Sequence, residues 1–131
     1  MTRVRFKCDK LIRDNVPSKL QKKEIVVYQH SMERDEYLKA LARKLIEEAH
    51  EVVQAQNKDE VTEELADMLE LIQTLEREHG ISSDDVEKKR LQKRELNGAF
   101  DNKIFCSYIE IDEGNPHIQY YIDRPKQYPQ F

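Results

Sequence analysis

Apolar residues recur at helical spacing through the middle of the chain and alternate with polar ones near both ends. Over 34–56 they fall at Leu38, Leu41, Leu45, Ala49, Val52 and Val53, a stripe with the period of an α-helix. Gln56, Asn57, Lys58 and Asp59 interrupt it, and Asp59 is the expected cap of a second helix. That helix runs to about position 79 with Val61, Leu65, Met68, Leu69, Ile72 and Leu75 on one face, and Gly80 closes it. Ser82-Ser83-Asp84-Asp85 has the form of a capping box before a third, highly charged helix that ends at Asn97-Gly98.

Elsewhere the period is two. Val4, Phe6 and Cys8 alternate with charged residues, and 24–29 (EIVVYQ) is β-branched and aromatic, so both predict strands. Between them, in KLIRDNVP, Pro17 is expected to push Val16 to extended geometry. Residues 104–111 and 117–122 flank Glu113-Gly114-Asn115-Pro116 and predict a β-hairpin, followed by an extended arm. The expected fold is therefore mainly α: an antiparallel helical hairpin plus a third helix, with short β segments at both chain ends. The 131 residues are expected to form a single domain (1–131). Within it, 3–30 is an extended or β segment, 32–98 the helical core, and 104–131 a hairpin and arm.

Composition narrows the function classes. Hydrophobic residues make up 38% and charged residues 37%, against about 45–50% and about 25% in an average soluble domain. A core that thin favours self-association. A hairpin with a third helix as charged as EKKRLQKREL leaves apolar surface uncovered, so a homodimer or homotetramer is expected. The net charge of −4 and interleaved signs give no nucleic-acid footprint. No apolar run is long enough for a membrane span, and the polar start is no signal peptide. Cys8 and Cys106, without a CxxC or Cys/His cluster, predict small buried hydrophobes in a reducing cytoplasm rather than zinc ligands.

The chemistry lies in the long helices. Glu47-Glu48-x-x-Glu51 stands on the first and Glu64-x-x-Asp67 on the second. Residues three apart share a helix face. Glu48 and Glu51 flank one stripe, and Glu64 and Asp67 flank the other in the same rotational sense. In an antiparallel hairpin those flanks fall on one side of the seam. The pairs 51/64 and 48/67 are both symmetric about the point between Asn57 and Lys58, which is the predicted turn. Four level carboxylates repel unless a cation sits among them. Oxygen-only ligation suits Mg²⁺ or Mn²⁺.

Lys44 lies on the same edge, where it either bridges Glu48 at i,i+4 or meets a phosphate. A di-iron alternative rests on Glu47-x-x-His50 and Glu76-x-x-His79. It is disfavoured because the two motifs are about 16 Å out of level.

The EExxE…ExxD pattern resembles that of the MazG-like, all-α nucleotide pyrophosphohydrolases. KLIRDNVP, KRELNGAF (93–100) and Ile104-Phe105 resemble segments of the phosphoribosyl-ATP pyrophosphohydrolase-like subgroup. The resemblance covers about 3–106, and Asn15 stands where the subgroup commonly has lysine. It implies the fold of the all-α NTP pyrophosphatases and hydrolysis of a nucleoside triphosphate between the α and β phosphates with Mg²⁺. By the same resemblance, Glu48, Glu51, Glu64 and Asp67 hold metal, and Glu47 orients water or lies just behind the ligands. Lys10, Arg13, Lys93 and Arg94 are candidates for phosphate contacts. No Gly-rich phosphate loop is present. The competing classes are a non-catalytic helical interaction module and a nucleotide sensor.

Overall fold

A computed structural model describes residues 2–131 and contains five helices: α1 (Val16–Gln21), α2 (Arg34–Gln54), α3 (Lys58–Glu78), α4 (Ser83–Asn97) and α5 (Ile118–Ile122). No helix among the described residues is long and apolar enough to cross a membrane. The chain divides into two compact units, Met1–Gln92 and Lys93–Phe131, with the boundary inside α4.

In the first unit, α2 and α3 pack as an antiparallel hairpin of two 21-residue helices. Each is about 31 Å long. Three residues connect them, and the cap is Asn57, not the expected Asp59. Its side chain accepts a hydrogen bond from the Glu60 amide at 2.9 Å, while the Glu60 carboxylate accepts from the Gln56 amide at 2.8 Å. Both bonds satisfy amides that the helix start leaves without partners. At the far end the Ile81 and Gly80 amides return to the Glu76 and Arg77 carbonyls, with Gly80 at φ 65. This is the left-handed closure that glycine allows. Arg34, at the start of α2, donates to the Glu78 carbonyl at 3.0 Å and so ties the two open ends together.

The seam takes residues at alternating spacings of three and four: Leu38, Leu41, Leu45, Glu48 and Val52 from α2, and Val61, Glu64, Met68, Leu71 and Leu75 from α3. All are buried or half-buried, and Leu41 is 1% exposed. Several residues expected on the inward stripes face outward instead: Val53, 84% exposed, Leu69, 58%, and Leu65 and Ile72. At about 100° per residue these lie about a quarter-turn from the seam, in the same sense on both helices. With Ile46 and Ala49 they form a second apolar stripe on one broad side of the hairpin.

The expected β segments are absent: the described residues contain no strand. Residues 3–8, 25–29 and 104–111 are not helical, and their boundaries carry residues with positive φ at Asp9, Glu24 and Lys103. Alternation makes a segment amphipathic, but a strand also needs a paired backbone. No backbone bond joins any of these three segments to another among the described residues. Residues 118–122 form α5. The Asn115 side chain accepts from the His117 amide and its carbonyl accepts from the Ile118 amide, which starts a helical turn after Pro116. Val16 opens α1 rather than standing extended, because Pro17 falls in the first turn, where its missing amide costs nothing. Cys8 and Cys106 are free and exposed, correcting the expectation of burial.

In the second unit, Tyr120, Tyr121 and Tyr128 pack edge-on or tilted, and the Arg124 guanidinium lies 3.9 Å from the centre of the Tyr120 ring.

Candidate metal centre

The leucine seam gives way to carboxylates toward the turn. Glu48 on α2 and Glu64 on α3 occupy seam positions, with Glu51 one turn beyond Glu48 on the edge. One carboxylate oxygen from each of the three lies within 4.8 Å of the others. Glu48 is 5% exposed, and the Oε2 atoms of Glu48 and Glu64 are buried without a hydrogen-bond partner. Buried carboxylate oxygens without donors are costly unless a proton or a cation meets them. The donor set is oxygen-only and rigidly mounted, so a divalent cation of the Mg²⁺ or Mn²⁺ kind fits.

The cluster's protonation reflects that strain. The Glu64 carboxyl is pushed up to about 8, first because Glu48 and then Glu51 lie where they can accept the one proton that its neutral form carries. Burial raises Glu48, while hydrogen bonding with Glu64 and then with Glu48 holds Glu51 below the usual carboxylate range. The arrangement favours a proton held among the three carboxylates, principally on Glu64.

The other sequence-predicted residues are placed as follows. Asp67 lies outside the three-carboxylate cluster, with its Oδ1 accepting from the Arg13 guanidinium at 2.5 Å. Lys44 is paired within its own helix, at 3.3 Å from Glu47 and 3.8 Å from Glu48. Its charge and that of Lys10 add to the lowering of Glu51, and the Arg13–Asp67 bond ties the segment before α1 to α3. Lys93 and Arg94 are exposed on the last turns of α4, in the second unit.

A cleft of about 190 Å³ lies beside the cluster, lined by Glu51, Gln54, Ala55, Glu60 and Glu64. Gln54 and Glu60 were not anticipated as neighbours of the site. The signal that could have found Glu60 is its spacing of four from Glu64, which puts both on one helix face.

A family model described as phosphoribosyl-ATP pyrophosphohydrolase matches residues 12–95, from just before α1 to near the end of α4. No curated protein and no solved structure matches.

Proposed function

The chain belongs to the phosphoribosyl-ATP pyrophosphohydrolase family, within the MazG-like all-α superfamily, whose members are hydrolases of a nucleotide phosphoanhydride bond. On that premise we propose that it is an Mg²⁺-dependent nucleoside triphosphate pyrophosphohydrolase. It would release nucleoside monophosphate and pyrophosphate and so clear unwanted nucleotides from a cytoplasmic pool. The observation that carries this reading is the three-carboxylate cluster with two buried, unpartnered oxygens.

Glu48, Glu51, Glu64 and Asp67 would hold Mg²⁺, with Mn²⁺ as a substitute. When bound, such an ion neutralises charge on non-bridging phosphate oxygens and lowers the pKa of a coordinated water. Glu47 orients the attacking water. Lys10, Arg13 and Lys44 would meet phosphate oxygens and stabilise the charge that grows on the departing pyrophosphate, a role that the family resemblance also assigns to Lys93 and Arg94. No covalent phosphoryl acceptor is required, because water attacks the α-phosphorus directly.

The second apolar stripe supports assembly into a homodimer or a dimer of dimers through the hairpin, since Ile46, Val53, Leu65 and Leu69 are exposed on it. Light scattering that gives 15.6 kDa at micromolar concentration would remove that part of the reading.

The deciding experiment is turnover of a panel of NTPs, dNTPs and phosphoribosyl-ATP with Mg²⁺ in ¹⁸O-labelled water. The label is expected in the monophosphate, with unlabelled pyrophosphate leaving. Label in pyrophosphate, or orthophosphate as first product, would overturn the α-phosphorus assignment. Lys93→Ala and Arg94→Ala are expected to slow turnover more than they weaken metal binding.

A further inference from the structure

Asp67 is level with Glu48 across the seam by the symmetry of the hairpin, but its oxygens are not among the three that converge. Its Oδ1 is engaged by Arg13, 54 residues away in sequence and on the irregular segment that precedes α1. Three properties of this pair matter together. It is solvent-exposed, with side-chain exposures of 61% for Arg13 and 37% for Asp67, so it is weak and a divalent ion can displace it. Arg13 lies outside any helix, so its side chain can leave without disturbing the hairpin. Finally, a released guanidinium presents a fork of donors suited to phosphate.

We propose that Arg13 stands in for the metal at Asp67. Until an ion is loaded, it keeps that carboxylate engaged in an ion pair. Loading of a divalent ion transfers Asp67 to the ion and frees Arg13 to meet the substrate's phosphates. The proposal rests on the reading of the cluster as a metal site. It adds a consequence that reading lacks: metal and Arg13 compete for one carboxylate, so metal loading prepares the phosphate contact, and the coupling is reciprocal.

The test is Mn²⁺ binding to the full-length protein without nucleotide, followed by the paramagnetic resonance of the free ion. Arg13→Ala is expected to tighten Mn²⁺ about fivefold, the scale of an exposed ion pair. In an Asp67→Asn background the same change is expected to alter nothing. Loss of a nearby positive charge would tighten Mn²⁺ in both backgrounds, and that result would overturn the exchange. Unchanged or weaker Mn²⁺ binding by Arg13→Ala would overturn it as well.

A second readout is pyrophosphate affinity of the Mn²⁺-loaded protein, expected to fall in Arg13→Ala and to recover in part in Arg13→Lys. Unchanged pyrophosphate affinity would remove the release toward phosphate. If the wild type binds no Mn²⁺, or Glu51→Gln binds it equally well, the metal reading fails and the exchange with it. If Glu51→Gln abolishes binding but Arg13→Ala does not tighten it, only the exchange fails.

Discussion

The two halves of the α2–α3 seam share a register and differ in what fills it. Away from the turn it is filled by Leu38, Leu41 and Leu45 of α2 and Leu71 and Leu75 of α3, and Leu41 is fully buried. Toward the turn the same spacing delivers Glu48 and Glu64, with Glu51 at the edge. One half has the chemistry of a core and the other that of a cation site, on identical backbone geometry. The distal half stabilises the hairpin and mounts the proximal half rigidly. The proximal half carries a cost instead, because the Glu48 and Glu64 Oε2 atoms are buried without a donor.

Substitutions can separate the halves. Glu51→Gln is expected to lower Mg²⁺-dependent turnover by about a hundredfold or more, beyond the range for groups that merely support a ligand. Circular dichroism should show an unchanged fold. Near-normal activity at limiting Mg²⁺ would show that the carboxylate half is ordinary helix surface. Leu41→Ala should do the reverse, removing about 3 kcal/mol of stability through a cavity while the folded fraction keeps its turnover number. Denaturant unfolding and initial rates on one preparation measure both. Glu48→Leu extends the leucine half into the site. It should raise the stability of the metal-free protein by about 1–4 kcal/mol, as when buried charge is replaced by packed apolar groups. The variant should also lose any thermal response to Mg²⁺ or EDTA.

Much of this division was legible in the sequence, and the rest was not for definable reasons. Helix period, the Gly80 closure and the symmetry of 51/64 about the turn are local facts that anticipated the hairpin and the approach of Glu51 to Glu64, whereas the expected convergence of Asp67 with them is not seen. The phase of the seam was harder. Each helix carries apolar residues over more than one stripe, and only packing decides that Leu71 turns inward while Ile72 and Leu69 remain outside. The segments at 3–8 and 104–111 alternate as strands do, but alternation does not reveal whether a partner edge exists. The HIQYYI segment became helical through a turn that Asn115 starts, a side-chain effect that outweighs local alternation. The Arg13–Asp67 contact joins positions far apart in sequence, and no spacing rule connects them.

The mildest effect expected is pH-dependent, and it distinguishes the halves without any mutation. Glu64 has its folded pKa raised from the ordinary 4.5 to about 8, chiefly by hydrogen bonds its protonated form makes with Glu48 and Glu51. Between those values the folded protein binds more protons than the unfolded chain. Stability of the metal-free protein must then fall as pH rises through that window. The leucines of the other half contribute nothing to this slope, because they carry no titratable group. Melting in EDTA at pH 5, 6, 7 and 8 is expected to show a steady decline. Saturating Mg²⁺ should oppose it, since the ion takes the place of the shared proton and binds more tightly as that proton becomes easier to lose. Calorimetry of Mn²⁺ binding in two buffers of different ionisation enthalpy should register proton release at pH 7 and much less at pH 9. A melting temperature that is flat in EDTA from pH 5 to 8, or metal binding without proton release at pH 7, would mean that the carboxylates do not share a proton. The proximal half would then owe its behaviour to solvent rather than to its place in the seam.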